Sequence, residues 1–239
     1  MQEKKVKIIK LGGSTFSKGK ENLFDFGYLK GLRSALEPSL ESGMKFFVVL
    51  GGGYTMRMYR DLALAGGVDE DTEVHWIGTA VNVLHAYICK AYFADIADSE
   101  VYKFEDYYSD SPLEVNGQMK FGGGGRPGHS GDVDAIIGAN RLGVKMIYSL
   151  KNVDGVYDAD PKKDPNAVLQ EKLTWDEYLN IIGYKDEHEP GGNYPIDPVA
   201  SKMSQDAGIT FVILGGDDLE NFERALNGEQ FRGTIVANN

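Results

Sequence analysis

Three apolar segments of this chain each end in a run of glycines, and a helical pattern follows each run. The segments and their glycines are Val6–Leu11 with Gly12–Gly13, Phe46–Leu50 with Gly51–Gly53, and Gln118–Phe121 with Gly122–Gly125. Short continuous apolar runs are typical of strands buried on both faces of a parallel sheet. Strands that alternate with helices predict the α/β fold class, as a three-layer αβα sandwich with a mostly parallel central sheet.

The rest of the chain continues this alternation. Further strands are predicted at Ser99–Phe104, Lys145–Leu150, Thr210–Leu214 and Gly233–Val236. Helices are predicted at Phe24–Leu40, Tyr54–Ala65, Thr79–Ala97, Val133–Leu142, Asp197–Ala207 and Asp217–Asn227, with another beginning at the capping box Thr174–Glu177. Pro38 should end or kink the first of these helices. Because no linker or clear repeat interrupts the pattern, residues 1–239 are predicted to form a single domain.

Composition limits the classes of partner. The formal net charge of −11 argues against nonspecific binding to nucleic acid or to an anionic membrane, so neither partner is expected. The N-terminal residues lack the apolar region of a secretory signal, and no segment approaches the roughly 18 apolar residues of a membrane span. Cys89 is the one cysteine, which rules out an internal disulfide. These features predict a cytoplasmic protein.

The segment Phe121–Asp134 carries the third glycine run and leads into a helix that begins near Asp132. Glycines allow backbone N–H groups to approach a ligand closely, and a helix N-terminus adds unpaired donors with a partial positive charge. Arg126 adds a planar cation that suits phosphate. The segment is predicted to hold the anionic substrate of a phosphoryl-transfer site, and a long flexible turn is the alternative.

Phosphoryl transfer also requires cations at the oxygens of the moving group. Lys10 lies at the end of the first strand, beside its glycine turn, and strand alternation places it on the face of Ile8 rather than simply toward solvent. Lys202 in the helix Asp197–Ala207 and Arg57 just after the second glycine run are further candidates. For these two, a solvated surface charge is the alternative.

Two carboxylates, Asp132 and Asp134, fall in the first turn of the helix after the third glycine run. One interpretation is that they satisfy the helix dipole. The other is that they lie near Mg²⁺ or a lysine, because they would otherwise repel a bound phosphate.

Other kinds of site are not supported by the sequence. The Walker pattern G-x-x-x-x-G-K-[ST] is absent, and the glycines of Gly123–Gly128 lack the acidic residue that dinucleotide folds carry about 20 positions later. The four histidines are scattered, and His85 with Cys89 forms one pair, which is too few ligands for zinc. No metal site built from protein side chains is predicted, and this pair is expected in the core or at an interface.

Six motifs run in order from the first predicted strand to the last. They are IIKLGGS (Ile8–Ser14), LGGGYTMR (Leu50–Arg57), GGRPGHSGD (Gly124–Asp132), NVDGVYDADP (Asn152–Pro161), IDPVASKM (Ile196–Met203) and GTIV (Gly233–Val236). In this order they resemble the amino-acid kinase family, most closely its archaeal-type UMP kinases. The resemblance implies transfer of the γ-phosphoryl group of ATP–Mg²⁺ to a small anionic acceptor, with UMP converted to UDP. It also implies a dimer-based homo-oligomer, an acceptor-side half over about 1–120 and a nucleotide-side half over about 121–239.

The resemblance assigns roles to individual residues of this sequence. Catalysis is assigned to Lys10 and Lys202. ATP binding is assigned to Gly12, Gly13, Ser14, Gly53, Arg57, Asn152, Tyr157 and Asp160. Acceptor binding is assigned to Gly52, His75, Gly125, Arg126, Pro127, Gly128, His129, Ser130, Gly131 and Asp132.

Four positions depart from the pattern of archaeal-type UMP kinases. Gly125 and Gly131 stand where two threonines are expected, His75 where an aspartate binds the ribose, and Lys151 where a threonine precedes Asn152. A histidine cannot replace an aspartate as acceptor of ribose hydroxyls without changing that contact, so the acceptor itself is affected. Two alternatives therefore stay open. One is a kinase for another phosphorylated acceptor such as isopentenyl phosphate, and the other is a nucleotide- and oxoanion-binding protein that resembles molybdenum storage proteins.

Overall fold

The computed structural model describes residues 5–68, 71–161, 163–184 and 194–239. Its strands are β1 (Val6–Leu11), β2 (Lys45–Leu50), β3 (Met119–Gly122), β4 (Met146–Lys151), β5 (Val156–Tyr157), β6 (Leu169–Gln170), β7 (Lys172–Thr174), β8 (Thr210–Gly215) and β9 (Thr234–Ala237). Its helices are α1 (Gly13–Phe16), α2 (Phe26–Glu41), α3 (Gly53–Ala65), α4 (Asp71–Tyr92), α5 (Gly131–Leu142), α6 (Trp175–Ile181), α7 (Pro198–Ala207) and α8 (Leu219–Leu226), with a 3₁₀ turn at Phe104–Tyr107.

The strands of the main sheet follow the order β3–β2–β1–β4–β8–β9–β7. The first five are parallel to one another, β9 runs antiparallel to β8, and β7 is parallel to β9. β5 and β6 form a separate antiparallel pair. Because the first five strands are parallel, their carboxyl ends share one edge of the sheet, and ligands bind at this edge in open α/β sheets.

Helices cover both faces of the sheet, and each face has its own apolar core. Alternate strand residues belong to opposite cores: Ile9 and Phe46 pack on one side, and Ile8 and Phe47 on the other. The first core includes residues of α2, α4 and α8, and the second includes residues of α5, α6 and α7. The predicted αβα sandwich with a mostly parallel sheet is confirmed.

The prediction of a strand at Ser99–Phe104 is wrong. Tyr102 makes an isolated bridge to Gly122, and the 3₁₀ turn then begins at Phe104, which has a φ of 46°. The apolar residues that indicated a strand are buried beside the end of β3 without continuing its ladder, since Val101 and Tyr102 both belong to the cores.

Pro38 does not end its helix, because α2 continues to Glu41. Proline removes one backbone hydrogen bond, to the carbonyl oxygen four residues earlier. That carbonyl belongs to Ser34, an exposed residue on the solvent side of α2, so water can take the place of the missing N–H. Leu36 and Leu40 meanwhile stay in the core and hold the last turn in place.

The helix predicted at Thr79–Ala97 corresponds to α4, which begins earlier and ends earlier than expected. His85 and Cys89 of this helix are buried, as the sequence predicts. Among the described residues, none of the helices combines the length and the apolar character that crossing a membrane requires.

Candidate active site

The first two glycine turns lie against each other at the carboxyl edge of the sheet. A Cβ atom on Gly13 would lie 2.1 Å from the backbone nitrogen of Gly53, so no side chain fits between the turns. Gly53 also has a φ of 57°, which favours glycine. His85 of α4 fixes the second turn, since its Nδ1 donates to the carbonyl oxygen of Gly51 at 2.9 Å. α1 and α3 both begin here, and the N–H groups of Tyr54 and Thr55 at the start of α3 donate to the carbonyl oxygen and the hydroxyl of Ser17.

The third glycine loop closes over the same edge, and we call residues Gly125–Gly131 the 125–131 loop. A Cβ atom on Gly131 would lie 3.3 Å from Cε of Lys10, and one on Gly123 would lie 3.1 Å from the carbonyl oxygen of Leu50. Three glycine turns therefore converge at the ends of β1, β2 and β3. These turns contain Gly12, Gly13, Ser14, Gly52, Gly53, Pro127 and Gly128.

Lys10 and Lys151 meet at the carboxylate of Asp132, and we call these three residues the lysine–aspartate cluster. Nζ of Lys151 lies 2.9 Å from each oxygen of Asp132, and Nζ of Lys10 lies 3.2 Å from its Oδ1. The lysines are neighbours because β1 pairs with β4, and the aspartate comes from the first turn of α5. Lys10 is 8% exposed and Asp132 is 4% exposed, so these charges interact away from bulk water.

The two lysines of the cluster differ in their affinity for protons. Burial alone would raise the pKa of Asp132, but the ammonium groups of Lys10 and Lys151 lower it below its usual value. Burial alone would lower the pKa of Lys10, which Asp132 instead raises. Burial lowers the pKa of Lys151 to about 7, with Asp132 opposing this effect and Lys10 adding to it. The cluster therefore releases one proton near neutral pH and keeps the other into alkaline solution.

Ser130 and Asp197 connect the helix of Asp132 to α7. Ser130 is the N-cap of α5, where its Oγ accepts from the N–H groups of Asp132 and Val133 at 3.1 and 3.3 Å and donates to Asp197. Asp197 in turn caps α7 by accepting from the N–H of Ala200 at 2.9 Å. The N-termini of α5 and α7 are therefore held together beside the cluster, and their dipoles both favour an anion.

Asp134 fills the space that a side chain at position 125 would need. Its Oδ2 accepts from the N–H of Gly125 at 3.1 Å, and a Cβ atom on Gly125 would lie 2.4 Å from its Oδ1. Oδ1 has no hydrogen-bond partner within the described part of the chain. Burial raises the pKa of Asp134 to about 7, against the hydrogen bonds from Gly125 and Gly124. Of the two carboxylates, Asp132 thus lies beside lysines, and Asp134 holds the 125–131 loop.

The outer side of the 125–131 loop is organised by Tyr108. The guanidinium carbon of Arg126 lies 3.5 Å from the centre of the Tyr108 ring, and the Tyr108 hydroxyl hydrogen-bonds Nδ1 of His129 at 2.6 Å. Burial, followed by the charge of Arg126, lowers the pKa of His129, so this imidazole is neutral at pH 7. Arg126 itself is exposed and can meet an incoming anion.

A cavity of about 460 Å³ opens next to the cluster. Lys151, Asn152, Tyr157 and Asp160 are among the residues that line it, and its volume lies in the range of small-molecule sites. Arg232 contacts the Tyr157 hydroxyl at 3.2 Å through Nη2. The structure therefore brings three residues predicted to bind ATP to one cavity, and their binding to ATP stays a prediction.

Three predicted site residues are not joined to the cluster by any contact between described residues. Lys202 of α7 has a side chain that is 51% exposed, and its Nζ contacts Asp206 at 3.2 Å and Gln205 at 2.9 Å. His75 is exposed on α4, and Arg57 is half-buried on α3. The roles assigned to these residues stay predictions.

Comparisons with known proteins show the family of the chain. The sequence profile of the Amino acid kinase family matches residues 115–215. The uridylate kinase of Methanocorpusculum labreanum is 32% identical over 97% of this chain and 95% of its own length, and that of Archaeoglobus fulgidus is 32% identical over 96% and 99%. The chain belongs to the amino acid kinase family.

The chain is also similar to solved structures of uridylate kinases. The crystal structure of uridylate kinase from Archaeoglobus fulgidus has a TM-score of 0.77 and 30% identity, over 97% of this chain and 100% of that one. The UMP kinase from Bacillus anthracis, at 21% identity and a TM-score of 0.79 over 98% of this chain and 96% of that one, shares the fold.

Sequence reasoning noted that Lys151 and Gly125 depart from the pattern of the archaeal-type UMP kinases but missed what each does. Lys151 is a buried second cation on Asp132, and Gly125 leaves room for the carboxylate of Asp134. One signal was available for Lys151: it follows the apolar run that forms β4 and directly precedes Asn152 of the NVDGVY motif. No local signal pointed to Tyr108.

Proposed function

We propose that this protein transfers the γ-phosphoryl group of ATP to UMP, which yields ADP and UDP. The observation that carries the proposal is the buried Lys10, held by Asp132 beside the converging turns of Gly13 and Gly53. Fixed cations and backbone donors in a site shielded from water stabilise the charge on a transferring phosphoryl group. Uridylate kinases at 32% identity over nearly the whole chain support UMP as the acceptor.

The reaction requires position and charge from the protein rather than covalent chemistry. A phosphate oxygen of UMP forms a bond to Pγ while the bond from Pγ to the β–γ bridging oxygen breaks, and that electron pair leaves with ADP. A phosphate monoester has its second pKa near 6, so the attacking oxygen is largely ionised and needs no general base. Lys10 and the N–H groups at the N-terminus of α1 contact the moving group, while Asp132 orients the lysine.

The two substrates approach the cluster from different sides in this proposal. The nucleoside of ATP occupies the cavity at Asn152, Tyr157 and Asp160, and its phosphates reach the first two glycine turns. The phosphate of UMP lies against the 125–131 loop and Arg126. The remaining predicted contacts are Ser14 and Arg57 with ATP, His75 with UMP, and Lys202, which must leave Asp206 to reach a phosphate.

Magnesium enters the proposal as the ion that ATP carries. Over residues 5–68, 71–161, 163–184 and 194–239, no group of three or more His, Cys, Asp and Glu side chains could hold a metal. Mg²⁺ usually keeps several waters and binds through substrate phosphates. In this proposal the ion is therefore held mainly by the phosphates of ATP. When bound, the ion neutralises charge on the β- and γ-phosphate oxygens.

Assembly into a homo-oligomer also belongs to the proposal. Large apolar side chains are exposed on α3 and α4, which is unusual for a surface that faces only water. These are Tyr59, Leu62, Leu64, Trp76, Leu84 and Tyr87. A second copy of the chain is the occupant that the relatives' family implies, and light scattering after size-exclusion chromatography is expected to give a dimer or a multiple of it. A monomer at assay concentration would contradict this part.

A panel of acceptors tests the proposed reaction. ADP formation from ATP–Mg²⁺ is measured with UMP, CMP, AMP and isopentenyl phosphate, and UMP is expected to give the highest kcat/KM. A preference for isopentenyl phosphate would support a kinase activity but would show that UMP is not its acceptor. No turnover with any acceptor, together with molybdenum or tungsten in the purified protein, would favour the storage alternative.

A further inference from the structure

Lys151 connects two parts of the candidate site. It is the last residue of β4 and lines the cavity that also contains Asn152 and Tyr157. Its amino group contacts both oxygens of Asp132, which belongs to the helix that follows the 125–131 loop. Lys151 therefore borders the cavity and also contacts the helix that follows this loop.

When both lysines are protonated, the charges around Lys151 do not balance without a ligand. Asp132 can compensate one ammonium group, yet Lys10 and Lys151 both contact it, and a buried cation without an anionic partner is unfavourable. The other ionisable groups near the cluster are Asp134 of α5, Asp197 at the N-terminus of α7 and Tyr178 of α6. At the end of β8 and directly after it, the residues adjacent to Lys151 are the uncharged Gly215 and Gly216.

The partners of the nearby carboxylates show that they do not supply the missing charge. Asp197 accepts from Ser130 and from the N–H of Ala200, and Asp134 accepts from the N–H of Gly125. Neither forms an ion pair with Lys151 in the described part of the chain, whereas an entering polyphosphate would bring several negative charges to this place.

We propose that Lys151 is a second catalytic lysine of this site, whose amino group contacts the transferring phosphoryl group together with Lys10. The inference rests on the proposed function for the identity of the two substrates. Without ATP, Lys151 is largely neutral above pH 7. The negative charge of ATP favours its protonated form, so binding of ATP draws one proton from solution into the cluster.

The proton on Lys151 is not consumed in the reaction. The bond from the acceptor oxygen to Pγ forms, the bond from Pγ to the bridging oxygen breaks, and the electron pair leaves on ADP. Lys151 keeps its proton throughout and returns it when the products dissociate. The ammonium group thus acts by its charge and its hydrogen bonds, as preorganised donors do at developing anions.

Calorimetry of ATP binding tests the proposal without any turnover. ATP–Mg²⁺ is titrated into the protein at pH 8, with no acceptor, in two buffers of different ionisation enthalpy, and the difference gives the protons taken up. The wild type is expected to take up about one proton and Lys151→Met close to none, because that side chain cannot ionise. Lys120→Met is the matched control, since Lys120 forms another buried ion pair, with Asp98 at 3.2 Å, outside the site. This control is expected to match the wild type.

One further variant and a kinetic measurement keep the test decisive. Lys151→Arg retains the charge at every relevant pH, so it is expected to bind ATP without proton uptake and to keep kcat within about tenfold of the wild type. Lys151→Met is expected to lower kcat for the acceptor about 100-fold. If Lys151→Met does not fold, Lys151→Arg decides by itself.

The outcomes separate this inference from the proposed function. If the wild type phosphorylates none of the acceptors, the proposed function fails, and the proton uptake still decides whether Lys151 meets the phosphates of ATP. Equal proton uptake by the wild type and Lys151→Arg would overturn the inference. So would a Lys151→Met protein that turns over within threefold of an active wild type.

Discussion

Lys151 places its amino group 2.9 Å from both carboxylate oxygens of Asp132, a residue that lies 19 positions earlier in the chain. Lys10 reaches the same carboxylate from the neighbouring strand. The arrangement puts two lysines on one buried aspartate at the edge where the glycine turns converge. Its stability and its response to pH follow from that two-to-one ratio.

Asp132→Asn is expected to lower the free energy of unfolding at pH 7 by about 3–5 kcal/mol, because it leaves two buried lysines without their carboxylate. The loss of unfolding free energy should be smaller at pH 9, where the lysine–aspartate cluster holds fewer protons. Urea denaturation at both pH values measures it. Asp98→Asn is the control, since it breaks a buried pair with one lysine, Lys120, and its cost should change less with pH. An equal loss at pH 7 and pH 9 for Asp132→Asn would contradict the two-to-one arrangement.

The contribution of Lys151 to the stability of the folded protein is expected to become more favourable between about pH 7 and pH 10. The pKa of Lys151 is about 7 in the folded protein and about 10.4 for an unperturbed lysine, so between these values the unfolded state binds more protons. Unfolding therefore becomes less favourable as pH rises, by at most about 1.4 kcal/mol per pH unit. Lys151→Met lacks this contribution. The difference between the two unfolding free energies, measured at pH 7, 8 and 9, should change steadily with pH, and parallel curves would refute the assignment.

Gly125→Thr is expected to destabilise the protein by about 1–3 kcal/mol, because its Cβ would lie 2.4 Å from Oδ1 of Asp134. In an Asp134→Ala background the same change should cost less, since the obstructing carboxylate is gone. Gly19→Thr is the control, because the space around its Cβ is open. A cost for Gly125→Thr that is the same in both backgrounds would show that Asp134 does not exclude the threonine.

Lys202→Ala is expected to lower kcat for the phosphoryl acceptor by less than tenfold, and therefore less than Lys151→Met. Lys202 forms an ion pair with Asp206 at an exposed position, whereas Lys151 forms its ion pair with Asp132 inside the lysine–aspartate cluster. Steady-state kinetics of both variants under the same conditions compares the two lysines. A larger effect of Lys202→Ala would restore the role that the family pattern assigns to it and would show that α7 rearranges when substrates bind.

Much of the fold follows from local patterns in the sequence. The apolar runs locate β1 and β2 because strands buried on both faces need apolar residues throughout, and parallel strands bring their glycine turns to one edge. The burial of Lys10 follows from strand alternation with Ile8. Ser99–Phe104 has strand-like composition but forms no continuous hydrogen-bond ladder with another strand. Such pairing depends on neighbours that lie far away in the chain.

The candidate site is less accessible from sequence because its decisive contacts are not local. The pairing of Lys151 with Asp132 depends on β4 lying beside β1 and on α5 beginning above their ends. The exclusion of a side chain at Gly125 depends on the rotamer of Asp134, nine residues away. Tyr108 reaches Arg126 and His129 from an irregular segment, for which periodicity gives no orientation.

Transfer of a labelled γ-phosphoryl group tests the kinase proposal most directly. The protein is incubated with γ-labelled ATP–Mg²⁺ and UMP, and the labelled products are separated by chromatography. The wild type is expected to place the label in UDP, with one ADP formed for each UDP. Lys10→Met should slow this transfer by about 100- to 1,000-fold, since it removes a fixed cation at the transferring group. No labelled UDP from the wild type, or equal rates for the wild type and Lys10→Met, would contradict phosphoryl transfer to UMP at this site.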